Sequence, residues 1–395
     1  MEDLVTVLVT VYNNEKFLEE TLESVLNFNY QNLDILIVDN ASTDRSPSII
    51  SSYAQKDSRI RVIRHPENRG HHESLKTGLE NAYSEFVFNA NADDINLTDR
   101  IEKCMKIFRE DKNVGMIVAN ALIIDENSQE TGQLYRFTSI INEENLALKQ
   151  FTRNNCCLGA TMAVRYRKGM IDKIIDSTYF DDYQLSLEYL LNGNDIKLLH
   201  EVVIKYRLHS SNYSNNQTEL VRRTIHMLKQ YDTERVCKEL FRRGFPAADI
   251  YFTLGLFELF RDNLLGAKTF LLQVQNGGQG KEFETLFYLG VVYSLLDQSE
   301  ESLNYFQQAY KINMDEPTVL NNLGILLVKV NNDLEKSIKL IKKSLLLKQD
   351  FRDAKDNLFI LENSNRSVTH YVEINKLKIT ARILNTASRE IIKIK

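Results

Sequence analysis

The chain lacks the marks of a secreted, membrane-spanning or nucleic-acid-binding protein. It has four cysteines in 395 residues, Cys104, Cys156, Cys157 and Cys237, with no CxxC pair and no framework spacing. Adjacent Cys156 and Cys157 make a poor disulfide, so reduced thiols and a cytoplasmic protein are expected. No run of about 18 apolar residues occurs, so no spanning helix is expected. The start, MEDLVTVLVTVYN, is acidic and enters a strand at once, unlike a signal peptide. A net charge of -5 gives no reason to expect nucleic acid as a partner. Glycine-rich phosphate loops are missing too. YNNEKF follows the first strand without a glycine, which excludes a dinucleotide-binding turn, and there is no P-loop. Any phosphate must be held in another way.

The rest is ordinary globular composition, 43% hydrophobic and 26% charged, in a chain long enough for two domains. Up to about residue 210, strand and helix signals alternate. Strands are expected at 5–12, 33–40, 60–65, 85–90 and 114–125. Helices are expected at 14–28, 46–56 with Ser46 as N-cap and Pro47 at the first helical position, 74–83, and from 100 onward behind an Asp99–Glu102 capping box. This order implies an α/β fold, a mostly parallel sheet covered by helices, in which ligands bind off the carboxyl ends of the strands. Asp39 and the pair Asp93–Asp94 stand at such ends. Two adjacent carboxylates fit a hard divalent cation such as Mn²⁺ or Mg²⁺, which would let an acidic rim hold a diphosphate. An ordinary polar loop is the alternative. His71 and His72 are adjacent, which suits chelation of one ion badly, and read as loop residues.

After about residue 220 a repeat sets in. Gly255, Gly290 and Gly324 recur at a similar period, each preceded by leucine, with small residues downstream at Ala267, Ser302, Ala309, Ser337 and Ser344. This pattern resembles the tetratricopeptide repeat, with the third copy carrying one extra residue; a generic helical bundle is the alternative. The end, 375–395, reads as a basic amphipathic helix with Ile379, Ile383, Leu384, Ala387 and Ile391 on one face. It would serve either as a contact to an anionic membrane or as a solvated cap on the repeats. The expected organisation is a catalytic domain at 1–215, a helical linker at 216–249, an all-α repeat domain at 250–360 and a basic tail at 361–395.

The first half carries an ordered set of motifs: VTVLVTVYNNEKFLEETLESVLNF, DILIVDNASTD, ENRG, NADDINLTDRI and FDDYQLSLEYLLNG followed by YRLHSSNYS. Together, over about residues 4–215, they resemble inverting family 2 glycosyltransferases of the GT-A fold. The resemblance implies a metal-dependent transfer of a hexosyl or N-acetylhexosaminyl group from a nucleotide diphosphate sugar, UDP-linked by expectation, to an acceptor hydroxyl. VDNASTD stands where the family has D-D-G-S-T-D, so Asp39 would read the base, with Thr10, Tyr12 and Asn13 lining the nucleotide pocket. NADD replaces D-A-D-D. Asp93 and Asp94 would meet ribose, diphosphate and metal, with Asn91 removing one charge. Asp182 would be the catalytic base and Asp181 its acidic neighbour; helix capping is the plainer role for both. Glu188 stands where the family usually has arginine. His209 would touch metal or diphosphate, Lys76 sugar or phosphate, and Gly159 and Ala160 would form a small-residue acceptor loop.

A repeat stack favours a protein or peptide acceptor docked on its concave face. A surface glycan or lipid-linked oligosaccharide is held level with it. A non-catalytic nucleotide-sugar-binding scaffold is the alternative class. Action at the inner membrane face and a homodimer are carried as further expectations.

Overall fold

The computed structural model describes residues 2–152, 155–170, 181–210, 212, 217–277, 281–363 and 389–393. The chain divides into two compact units, Met1–Glu239 with Ala387–Lys395, and Leu240–Thr386.

The first unit is built on a ten-stranded sheet. Its core is parallel: β1 (Val5–Val11) lies between β2 (Leu33–Asp39) and β4 (Phe86–Asn91), and β3 (Ile60–Arg64) flanks β2. Every residue of β1 and β2 is buried, as strands covered on both faces must be. Helices α1 (Leu18–Leu26), α2 (Ser46–Lys56), α3 (His71–Asn81) and α4 (Arg100–Glu110) alternate with these strands. Val25, Leu22 and Leu18 of α1, and Ile101, Met105 and Phe108 of α4, join the core with Val7, Val9, Ile35 and Phe88. Beyond β4 the sheet turns mixed. β8 (Ala163–Arg165) runs antiparallel to β4 and to β6 (Val114–Ile124); β7 (Glu130–Phe137) is antiparallel to β6. β9 (Asp195–Arg207) lies parallel to β6 and pairs with the short β5 (Ile95–Asn96). The expected α/β arrangement is present.

Several element ends differ from the sequence reading, each for a local reason. Asn14–Phe17 forms a turn instead of opening α1, because Asn14 N donates to Ser46 Oγ (3.0 Å) and Glu15 N to Asp44 Oδ2 (2.9 Å). Ser46 is thereby engaged and is not the N-cap of α2; Arg45 occupies that place. The Asp99–Glu102 capping box does not form, since Asp99 pairs with Lys103 (2.9 Å) and Glu102 accepts from Asn29 Nδ2 (3.4 Å). α3 begins at His71, directly after Gly70 at φ +87°, so His71 and His72 form its first turn rather than a loop. At the far end of the chain, the expected basic helix gives way over β10 (Arg389–Lys393) to a strand antiparallel to β7. An edge strand with open N–H and C=O groups captures an extended segment at the expense of helix. Residues 375–388 of that expectation lie outside the described residues.

α7 (Gln217–Lys229) and α8 (Thr233–Arg242), whose last three residues fall in the second unit, follow β9 and the earlier α5 (Leu146–Gln150) and α6 (Asp182–Leu191). The second unit is helical: α9 (Ala247–Phe260) with α10 (Leu264–Gly277), α11 (Glu282–Leu295) with α12 (Ser299–Ile312), α13 (Pro317–Asn331) with α14 (Leu334–Leu347), then α15 (Arg352–Asn363). The recurring glycines are where paired helices touch. A β-carbon on Gly255 would lie 2.7 Å from Leu271, on Gly290 2.8 Å from Phe306, and on Gly324 2.8 Å from Ile341. α13 is fifteen residues long against fourteen for α9 and α11. Among the described residues no helix is long and apolar enough to cross a membrane.

Candidate active site

The parallel register brings the candidate residues to one rim. Val11 lies opposite Asp39, and Thr10 opposite Asn91, at the carboxyl ends of β1, β2 and β4. Tyr12 is exposed beside them. Asn13 takes a left-handed conformation (φ +51°) that lets its N–H reach Ser42 Oγ (3.0 Å) while its Oδ1 accepts from Thr43 N (2.8 Å). The loop after β2 is thus tied to the end of β1. Asp39 is almost wholly buried. Its Oδ1 accepts from Ser42 N (2.9 Å), and its Oδ2 has no hydrogen-bond partner. Asn40, where the resemblance expects aspartate, accepts from Arg69 N (3.0 Å), contacts His65 Nδ1 (2.9 Å) and donates to Asn68 Oδ1 (2.8 Å). It therefore fastens the ENRG segment that leads into α3, a job that needs a donor as well as an acceptor and suits an amide. Thr10 Oγ1 stands 3.5 Å from His71 Nδ1, so the histidine read as a loop residue is part of the rim.

The two adjacent aspartates separate by environment. Asp94 is buried; its Oδ1 accepts from Arg207 N (2.9 Å), its Oδ2 from Asn91 Nδ2 (3.3 Å), and its carbonyl from Thr21 Oγ1 (2.8 Å). Burial, reinforced by the charge of Asp93, pushes its carboxyl well above the usual carboxylate range. Asp93 keeps part of its surface, and its Oδ2 lies 3.0 Å from His209 Nε2. The His209 ring packs 5.0 Å from that of Phe17. Arg207, fully buried, holds this arrangement: Nε donates to the Asp93 carbonyl (2.7 Å), Nη1 to Ser128 Oγ (2.8 Å) and Nη2 to Glu20 (2.5 Å). Nothing in the sequence singled out Arg207, because its partners come from three separate segments.

The third group is the acidic pair that opens α6. Asp181 is its N-cap, accepting from Gln184 N (2.9 Å). Burial, then the neighbouring Asp182 charge, push the Asp181 carboxyl up to about 7. Asp182 lies against Gly159, where an added β-carbon would stand 3.4 Å from Asp182 Oδ2. Ala160 is buried in the same short turn. Asn89 Nδ2 donates both to the Gly159 carbonyl (2.9 Å) and to Asn91 Oδ1 (3.1 Å), so one side chain links the acidic loop to the turn beside Asp182. Glu188, in the family's arginine position, is buried and meets Arg235 Nη2 of α8 at 3.2 Å. Lys76 pairs with Glu80 at 4.0 Å on α3, and no described contact links it to the rim.

For a divalent cation, Asp93 and His209 offer a carboxylate oxygen and an imidazole nitrogen on converging side chains. Among the described residues no three His, Cys, Asp or Glu side chains converge. Two protein ligands fit a cation that completes its shell with phosphate oxygens and water. Asp94 is turned away, toward Arg207 and Asn91.

A protein-family model described as glycosyl transferase family 2 matches residues 6–174. An uncharacterized glycosyltransferase of Haemophilus influenzae is 28% identical over 233 residues, covering 56% of this chain and 71% of the relative. Glycosyltransferase GlyG of Streptococcus pneumoniae is 34% identical over 128 residues, 32% of this chain and 42% of GlyG. Among solved structures, S. aureus TarS 1-349 is 15% identical with a TM-score of 0.47, covering 88% of this chain and 92% of that one. The mannosyltransferase PcManGT of Pyrobaculum calidifontis, in complex with GDP-Man and Mn2+, is 18% identical with a TM-score of 0.44, covering 78% and 84%. The family match, residues 6–174, falls within the first unit, on the mixed sheet flanked by helices.

Proposed function

We propose that the chain transfers a sugar from a nucleotide diphosphate sugar, UDP-linked by preference, to an acceptor hydroxyl with inversion at the anomeric carbon. The observation that carries this reading is the meeting of Asp39 and the Asp93–His209 pair at adjoining carboxyl ends of parallel strands. Asp39 offers a buried, open carboxylate oxygen to a base N–H. Thr10, Tyr12 and Asn13 line the nucleotide beside it. Asp93 and His209 hold the divalent ion, Mn²⁺ or Mg²⁺; when bound, it supplies neutralisation of the departing diphosphate. Asp94 fixes the loop through Arg207 rather than binding the ion itself.

Asp182 is the base. Its carboxylate removes the proton of the acceptor hydroxyl as that oxygen forms its bond to the anomeric carbon. The carbon–oxygen bond to the diphosphate breaks in the same displacement, and the nucleotide leaves with the electron pair. Gly159, whose missing β-carbon would otherwise stand 3.4 Å from Asp182 Oδ2, borders the acceptor together with Ala160.

The acceptor is a peptide or a glycan. The second unit's helix pairs favour a peptide, since stacked helix hairpins offer extended binding surfaces. The test is to incubate the protein with Mn²⁺ and a panel of nucleotide sugars and to follow free nucleotide. Slow release that disappears in Asp182→Asn is expected. Tight binding without turnover, given a broad acceptor set, favours a non-catalytic scaffold; no binding of any nucleotide sugar overturns the reading.

A further inference from the structure

We propose that Arg64 is a second base-reading residue, donating a hydrogen bond to a ring carbonyl beside the imide N–H that Asp39 accepts. The proposal rests on the reading that this rim takes a nucleotide. Asp39 and Arg64 face each other across β2 and β3, each at the last position of its strand. Asp39 forms the floor, with its side chain 2% exposed; Arg64 forms the wall at 56%. Asp39 Oδ1 is engaged by Ser42 N, whereas Oδ2 accepts no hydrogen bond although it is buried. A buried acceptor left unmade carries a free-energy penalty that a ligand can relieve.

Arg64 Nε stands 3.3 Å from that oxygen, close enough to offset its charge but off the line of a hydrogen bond. Arg64 Nη2 donates to the Ser42 carbonyl (3.0 Å), which fixes the guanidinium at the loop instead of leaving it free to swing. A guanidinium carries five N–H donors, so donors remain for a ligand. The pocket edge is then an acceptor with donors directly beside it. That pattern complements a base edge bearing N–H next to C=O, found in uracil and guanine. Cytosine reverses the pattern and would set its amino group against Arg64 and its bare ring nitrogen against Asp39. Such mismatches reject a wrong ligand more strongly than a missing contact does.

The experiment measures binding of UDP, GDP and CDP by calorimetry with Mn²⁺ present, for the wild type, Arg64→Ala and Arg64→Gln, with thermal melting to confirm folding. The wild type is expected to bind UDP or GDP at least tenfold more tightly than CDP. Arg64→Ala is expected to weaken the preferred nucleotide by roughly tenfold to a hundredfold, the range for a hydrogen bond from a charged donor, and to leave CDP within about twofold. Arg64→Gln, which keeps an N–H donor group, should retain part of the preference. On the wild type alone, replacing the preferred nucleotide's carbonyl oxygen by sulfur should weaken binding. An equal loss for all three nucleotides, an unchanged preference in Arg64→Ala, no preference in the wild type, or a thio analogue that binds as well as its parent each overturns the role of Arg64. If the wild type binds no nucleoside diphosphate at all, the donor reading itself fails with it.

Discussion

His209 Nε2 lies 3.0 Å from Asp93 Oδ2, joining the segment after β9 to the loop after β4, while the adjacent Asp94 turns inward to the backbone N–H of Arg207. Two neighbouring carboxylates therefore have different jobs. Asp93→Asn and His209→Ala should each weaken Mn²⁺-dependent nucleotide binding at least tenfold with little change in melting temperature. Asp94→Ala should instead destabilise the first unit by about 1–3 kcal/mol, since it leaves the buried Arg207 N–H without an acceptor. Calorimetry with and without Mn²⁺, beside denaturant unfolding, separates the two; equal effects of Asp93→Asn and Asp94→Ala on binding alone would contradict the division.

Asp182→Asn should lower kcat by roughly 10²- to 10⁴-fold, the range for loss of a positioned general base. Donor affinity should stay within about threefold, because the nucleotide is held by other residues. Single-turnover rates and nucleotide titrations check both halves of this expectation.

The Asp181 carboxyl, pushed up to about 7 by burial and by Asp182, gives a pH dependence with a definite sign. Its folded-state value lies above the unfolded one, so between about pH 4 and 7 the folded protein binds protons that the unfolded chain does not. Acid therefore relieves a strain that returns as pH rises through 7. Asp181→Asn, which retains a good N-cap, should raise the melting temperature at pH 8 and change it little at pH 4. The same substitution should shift the rising limb of the activity–pH profile to lower pH, because the pair titrates as a unit. A melting temperature unchanged at pH 8 would count against the shift.

In the second unit, Gly290→Ala would place a β-carbon 2.8 Å from the Phe306 ring, and Gly324→Ala 2.8 Å from Ile341 and 3.1 Å from the Ser337 carbonyl. Overpacking of this kind costs typically about 1–3 kcal/mol. Gly277→Ala, where nothing among the described residues lies within 4 Å, is the control and should be neutral or stabilising by helix propensity. Circular dichroism melts of the three variants distinguish these outcomes.

Removing residues 389–395 should leave β7 paired with β6 alone, its other edge a row of open backbone groups. Aggregation in light scattering is expected, and a peptide of sequence REIIK with its flanks, added in excess, should suppress it. Any truncation meant to test the helical unit must keep this strand.

The sequence reading located the strands from β1 to β4 within a residue or two, because buried parallel strands read as unbroken β-branched runs. It was weaker wherever a long-range contact replaced a local preference. Ser46 has the chemistry of an N-cap but its hydroxyl is taken by Asn14. The hydrophobic spacing around Ile391 allowed a helix, and the open edge of β7 made the segment a strand. His71 carried no signal beyond an unpromising neighbour, yet the start of α3 after Gly70 brings it to Thr10.

What the sequence determined by itself is the inventory: strand–helix alternation, acidic residues at strand ends, and small residues at helix-pair spacing, all of which follow from local periodicity. What only the tertiary structure decided is which of two identical side chains faces the rim. Asp93 and Asp94 differ in nothing that their own segment records. Their roles separate because Arg207, distant in the chain and held by Glu20 and Ser128, offers its backbone N–H to one and leaves the other beside His209.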